Sequence, residues 1–255
     1  MNIYEIIKSL LGKNKKIDVK HLPTQGLFYP EDFELKIKKA DMEDIIDYEY
    51  NFDKDNIFAM IESIKKIVKN NTLFNKDYKY EDIKSVDIVY VFLEIVKFTT
   101  NKKIEFAYFN DKLGKPDKLE FTSDNFDYFD FSKWEKDYDK EERTIVSNGY
   151  KFCMPSIGVE TCITEFLISK SEEPNSAVYN HYNYDFTFFI GNKNKLSFSE
   201  IENLIQIFTF DLDDKEQKKL KSIKQKFMGL IGYAIKNDGK VIEFKSRLDL
   251  ETIWK

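Results

Sequence analysis

The chain has 255 residues, 42% apolar and 16% aromatic, enough to bury a large core as one domain or two and too much for general disorder. Its formal net charge is −5, with 40 basic and 45 acidic residues interleaved, which excludes a whole-molecule basic field for nucleic acid. Lysine supplies nearly all the positive charge; Arg143 and Arg247 are the only arginines, leaving few groups for bidentate readout of phosphate or guanine.

In chain order, Ile3, Ile6, Ile7, Leu10 and Leu11 repeat at three and four residues, predicting an amphipathic arm over residues 1–20. A helix of about three turns is marginal alone in water, so it must pack on something. The candidates are its own domain, a neighbouring subunit reached through residues 12–16 as a tether, or a membrane surface. Residues 21–30, HLPTQGLFYP, then predict a turn: Pro23 fixes its own φ and extends Leu22, while Gly26 is free to take a positive φ. Leu27, Phe28 and Tyr29 place large side chains beside that turn, marking Pro23, Gly26, Phe28 and Tyr29 as candidate contact residues. Alternation of Phe33, Leu35 and Ile37 with charged residues predicts a strand. Asp41 caps the helix that follows, with Met42, Ile45, Ile46 and Glu49 at helical spacing.

Ile57, Met60, Ile61, Ile64, Ile67 and Val68 predict an amphipathic helix ended by Asn70-Asn71. A second helix, over residues 81–97, is apolar nearly all round and belongs near the centre of the core. Residues 103–108 and 118–121 read as strands joined by a tip at residues 113–116. Residues 126–134, FDYFDFSKW, read as a short strand with one aromatic face, or as a sugar-stacking or docking surface. Residues 135–142 read as a solvated connection. A boundary near 144 divides a first α+β unit (21–144) from a second, more helical one (145–255).

The second unit repeats the first. Tyr150, Phe152 and Met154 alternate as Phe33, Leu35 and Ile37 do, and residues 158–163 lie over residues 41–46; residues 249–254 offer a third, poorer copy. Ser197 or Ser199 caps a helix reaching Phe208, with Glu202 as the partner of Ser199 in a capping box. A helix over residues 215–236 buries Leu220, Ile223, Phe227, Leu230, Ile231 and Ala234. Its other side carries Lys218, Lys219, Lys221, Lys224 and Lys226, a solvated face or a seat for an acidic partner or a phosphate backbone. Residues 240–245 form a last strand. The fold class is α+β, mostly helical with small antiparallel sheets and two related strand-to-helix units.

Chemistry is sparse. His21 and His181 are the only histidines and neither lies in a metal-binding motif; no glycine-rich phosphate loop and no nucleophile elbow is present. Cys153 and Cys162 are spaced for neither a zinc pair nor a redox pair, and read as small core residues in a reducing compartment. The longest apolar runs, residues 88–92 and 230–235, fall short of a bilayer span, and no signal peptide precedes them. The expectation is a non-enzyme without cofactor or metal, made in a cytoplasm, with no membrane span and no nucleic-acid partner.

The run Leu22-Pro23-Thr24-Gln25-Gly26-Leu27-Phe28-Tyr29-Pro30, with the strand and helix after it, resembles the amino-terminal signature of the baseplate hub and hub-assembly proteins of T-even-type contractile-tailed bacteriophages. Asp87-Ile88-Val89-Tyr90, opening a hydrophobic helix, is similar as well. Some relatives carry a close cysteine pair in mid-chain, which Cys153 and Cys162 do not reproduce, so no metal site is carried over. The resemblance implies a structural subunit of the tail baseplate, assembled in the host cytoplasm and built into the virion among other baseplate proteins. Alternatives are an assembly chaperone absent from the particle and a glycan-binding tail component using residues 126–134 or 179–189.

Overall fold

The computed structural model describes residues 14–53, 57–75, 77–110, 114–122, 131–171, 176–179, 181–228, 233–237 and 240–244. Within them the chain is α+β and mostly helical, with small antiparallel sheets, as the patterning predicts. Strands β1 (Lys15–Ile17), β2 (Leu35–Ile37) and β3 (Thr72–Phe74) make one sheet in that order, with helices α1 (Met42–Asp53) and α2 (Ile57–Asn71) inserted before β3. Helix α3 (Ile88–Thr100) and a hairpin of β4 (Glu105–Asn110) and β5 (Lys115–Glu120) follow. A second sheet orders β6 (Tyr138–Asp139), β7 (Thr144–Ser147) and β8 (Tyr150–Phe152). The chain continues through α4 (Ile157–Lys170), α5 (Ser176–Tyr179), α6 (Phe198–Gln206), the π-helical stretch Ile207–Asp211 and α7 (Asp214–Met228). Strands β9 (Tyr233–Asn237) and β10 (Lys240–Phe244) pair as the final hairpin.

Helix α3 is the centre. Its sequence is apolar on every side, and every residue from Ile88 to Val96 is buried. Glu94 is among them, and its carboxylate takes the Lys15 ammonium from β1. Helix α2 lays Met60, Ile64, Ile67 and Val68 on this core and ends where the Asn71 side chain donates to the Ile67 carbonyl. Asp41 caps α1 as predicted, its carboxylate accepting the Glu43 N–H at 3.1 Å. One side of α1 buries Ile45 and Tyr48, while Met42, Ile46 and Tyr50 are 54%, 58% and 62% exposed.

A second core gathers Phe28, Trp134, Ile145, Phe152, Cys153, Ile223 and Phe227, and a third gathers Val159, Cys162, Phe166, Phe186, Ile201 and Ile205. Each fully buried ring contributes about 1.5–3 kcal/mol. Both cysteines are free and buried, as core residues should be.

Several boundaries differ from the sequence reading. The division at 144 runs through the second sheet, because Ile145 of β7 pairs with both Tyr138 and Phe152. Residues 15–17, placed in the arm and tether, are strand β1, paired with Ile37, Lys36 and Leu35. The central helix starts at Ile88, not near residue 81: Tyr80–Asp82 and Ser85–Asp87 are 3-10 turns, and Lys84 bridges to Ser156. Helix α7 ends at Met228, and Ala234 lies in β9. Phe131–Lys133 and Glu135–Asp137 are 3-10 turns, and Tyr138–Asp139 is a strand rather than a connection. Residues 1–13, 123–130 and 249–254 lie outside the described residues, and with them the arm, most of the aromatic run and the third copy.

The repeat exists locally, in a shifted register. Residues 38–41 join β2 to α1 and residues 153–156 join β8 to α4, so Asp41 matches Ser156, not Gly158. Ser156 is indeed the cap of α4, its hydroxyl accepting the Val159 N–H. The likeness stops at this connection, since β2 is the middle strand of its sheet and β8 an edge.

Candidate functional site

The stretch over residues 21–30 is the seam between two cores. Phe28 is 1% exposed in the second core, and the next residue, Tyr29, is 5% exposed in the first, stacked on Phe33 at 4.5 Å. Consecutive side chains of one turn, closed by the Tyr29 N–H on the Gly26 carbonyl at 3.1 Å, enter different cores and tie them together. The turn leading in has the predicted geometry: Leu22 is extended at ψ 151 and Gly26 sits at φ 77, with Gln25 also positive at φ 53. A Cβ on Gly26 would lie 3.1 Å from Val19 Cγ2, so lack of bulk adds to the conformational reason for glycine.

Asp87 holds the seam from beneath. Its fully buried carboxylate accepts three hydrogen bonds, from the Thr24 N–H at 3.0 Å, the Thr24 hydroxyl at 2.7 Å and the Tyr29 hydroxyl at 2.7 Å. The Tyr29 oxygen in turn accepts the Lys84 N–H at 2.8 Å. Burial raises the Asp87 pKa to about 6 against the pull of its Tyr29 and Thr24 donors and of the Lys84 charge. Burial and the neighbouring Asp87 carboxylate push the Tyr29 hydroxyl well above its usual value.

Two cavities flank this junction. A cleft of about 710 Å³ runs between Gln25, Gly26, Leu27, Pro30 and Glu31 on one wall and Tyr138, Lys140, Glu141 and Arg143 on the other. Its walls are joined by the Tyr138 hydroxyl, which donates to the Leu27 carbonyl, and by an exposed Lys140–Glu31 ion pair at 2.9 Å. A smaller cavity of about 190 Å³ shares Tyr29, Pro30 and Arg143 with the cleft and is also lined by Asp82, Lys84, Asn192 and Asn194. Behind it lies Cys153, whose thiol burial pushes up against the pull of Lys84 and Arg143. Among the described residues no group of three or more His, Cys, Asp or Glu is placed to hold a metal ion, and no helix is long and apolar enough to cross a membrane.

The predicted contact residues fare unevenly. Ile3, Ile6, Ile7, Leu10 and Leu11 lie outside the described residues. Pro23, Phe28 and Tyr29 are buried and cannot serve as exposed anchors, because their side chains fill the chain's own interior. What the turn presents outward is Gln25, Gly26 and Leu27. The aromatics over residues 179–189 pack into the second and third cores, with Phe186 fully buried, Phe188 stacked on Phe152 at 5.6 Å and Tyr179 edge-on to Tyr182 at 5.3 Å. On the lysine face of α7, Lys224 pairs with Asp185 at 2.5 Å, while Lys226 and Lys219 lie over the Trp134 and Tyr150 rings at 4.1 and 5.0 Å. Lys218 and Lys221 are exposed.

Lys84, Arg143 and Asn192 were not singled out from sequence as site residues. Arg143 carried a signal in its rarity, and Lys84 a fainter one as a lysine set among Ile83, Val86 and Ile88. Asn192 carried none. Compared with protein-family models, curated proteins and solved structures, the chain matches none.

Proposed function

We propose that this protein is a structural subunit of a contractile phage tail baseplate, at or near the hub, held to its neighbours by an amino-terminal arm and by exposed apolar surface. The observation that carries the reading is where its two signature stretches meet. Residues 22–30 and 87–90 carry the resemblance to the baseplate hub family, and they are joined in space through Asp87, Thr24 and Tyr29. Residues so far apart in sequence that form one buried junction are a unit a family of folds can share. Met42, Ile46 and Tyr50 add support: at four-residue spacing they form one exposed apolar stripe on α1, of the kind that anchors subunit contacts.

The test is mass spectrometry of purified particles, with peptide counts calibrated against a known tail protein. A fixed small copy number supports the reading. Presence in infected-cell lysate but absence from particles makes the chain an assembly chaperone and overturns it. A deletion of residues 1–13 spares β1 and should fold normally yet fail to enter particles; normal incorporation would remove the arm from the proposal.

A further inference from the structure

The smaller cavity holds two cationic side chains, neither of them in a salt bridge with a carboxylate among the described residues, although the charge of Lys84 acts on the buried Asp87. Lys84 is 4% exposed, and its ammonium meets only neutral groups, the Asn192 side-chain oxygen at 2.8 Å and the Cys153 sulfur at 3.9 Å. The Arg143 Nε is buried and has no hydrogen-bond partner among the described residues. Among those residues no carboxylate forms a salt bridge with either cation. Asp82, the one acid of the lining, is already engaged, accepting the Lys79 N–H at 2.8 Å and the Asn194 side-chain amide. Asp87 lies on the far side of the Tyr29 hydroxyl, taken by Thr24 and Tyr29.

Arg143 is also held in a costly backbone conformation, φ 54, which glycine or asparagine adopts more readily. The Asn192 amide fixes it there, donating to the Glu142 and Arg143 carbonyls at 2.9 and 3.2 Å while its oxygen accepts from Lys84. One asparagine thus positions both cations. A buried charge without a partner is costly, and a cavity walled by Phe28 and Phe33 strengthens whatever charge enters it.

We propose that this cavity is an oxyanion site, taking a carboxylate or phosphate group between the Lys84 ammonium and the Arg143 guanidinium. Its volume of about 190 Å³ equals the share of about six waters in the liquid, enough for such a group and too small for a nucleotide. The anion comes either free from solution or as a carboxylate of a neighbouring chain lying in the larger cleft, which shares Arg143. The inference stands on the cavity alone and does not depend on the baseplate reading.

The test melts the full chain at constant ionic strength in chloride, in inorganic phosphate and with a blocked glycine-aspartate-glycine tripeptide. Ligand at a hundred times its Kd shifts the unfolding equilibrium about a hundredfold. Stabilisation that rises with the logarithm of phosphate concentration above its Kd, and that Arg143→Gln abolishes, supports a free oxyanion; the same rise with the peptide alone supports a partner's carboxylate. No response beyond chloride, or a response that survives in Arg143→Gln, overturns the proposal. Should that variant not fold, the Arg143 Nε–H resonance of the wild-type chain decides: it moves saturably with phosphate or peptide if the site is real and stays fixed if it is not.

Discussion

Asp87 combines two opposed roles, since its three donors need an acceptor while its burial penalises the charge that makes it a good one. From an ordinary aspartate pKa of about 3.9 to about 6 in the folded chain is a shift of about two units, or about 3 kcal/mol. The folded pKa is the higher one, so between these values the folded chain binds more protons than the unfolded. Stability from this group is therefore greatest below about pH 4 and is lost as pH rises through about 6. Linkage makes the penalty smaller at pH 5 than at pH 7, where it approaches about 3 kcal/mol. Asp87→Asn cannot ionise. Urea melts of both proteins should show the advantage of the wild type shrinking by about 1 kcal/mol between pH 5 and pH 7. Every other titrating group cancels in that difference. Asp87→Ala removes the acceptor as well, stranding the Thr24 N–H and the Thr24 and Tyr29 hydroxyls, and should fall below Asp87→Asn by about 3 kcal/mol or more. A difference between wild type and Asp87→Asn that does not change with pH would refute the assigned charge state. An alanine variant as stable as the asparagine variant would refute the network.

Other substitutions test the packing around the site. Gly158→Ala would set a Cβ 2.1 Å from the Asn194 carbonyl oxygen and 3.0 Å from Glu81 Cβ, so backbone must move. A loss of about 1–3 kcal/mol in denaturant melts is expected, and an unchanged midpoint would contradict the close approach. Ser197→Ala breaks the capping box with Glu200 and should cost about 1 kcal/mol. The Ser197 N–H, with Lys193 and the Ser197 hydroxyl, holds the exposed Glu200 carboxyl at about 2, so its contribution is present above the usual glutamate pKa and is lost as pH falls toward 2. An acid titration that is the same with and without Ser197 would contradict this. Phe227→Ala empties a site stacked on Phe152 at 4.3 Å and beside Trp134 at 4.3 Å, and should cost about 3–5 kcal/mol by thermal or denaturant unfolding.

Periodicity revealed the elements that pack by themselves. Helix α2, the all-apolar middle of α3, the hairpin of β4 and β5, and the cap at Ser197 each follow from a local pattern that the tertiary structure leaves in place. It failed where a tertiary contact outweighs the pattern. Ile83 and Val86 continue the spacing of α3, but the bridge between Lys84 and Ser156 draws that backbone away from the helix. The spacing of α7 runs on through Ala234, although Gly229 and Gly232 are breakers within it, and residues 233–237 pair with residues 240–244 instead. The capping box was offset by two residues because Glu200 and Glu202 both lie three residues after a serine. The site was harder to read. Arg143 and Asn192 meet only because the second sheet and the loop before α6 pack together, which no local spacing encodes.

Burial of Phe28 and Tyr29 changes where an interface can lie. A turn whose large side chains bind two cores together presents outward only Gln25, Gly26 and Leu27, so large apolar contact area has to come from elsewhere. The stripe Met42, Ile46 and Tyr50 offers it, and its position bears on the arm. Lys15 pairs with Ile37 in an antiparallel ladder, so β1 begins at the end of the sheet where residues 38–41 lead on to α1. Helix α1 carries Glu43, Asp44, Asp47, Glu49 and Asp53 with no basic residue, while residues 1–13 carry Lys8 and Lys13 against Glu5. On the proposed baseplate reading, the acidic helix with its exposed apolar stripe is the natural place for subunits to meet. Ile46→Lys should leave the melting temperature nearly unchanged, because the side chain is 58% exposed, and on the proposed baseplate reading should keep the chain out of particles. Normal incorporation of a folded Ile46→Lys protein would refute α1 as the contact surface and send the search to another face.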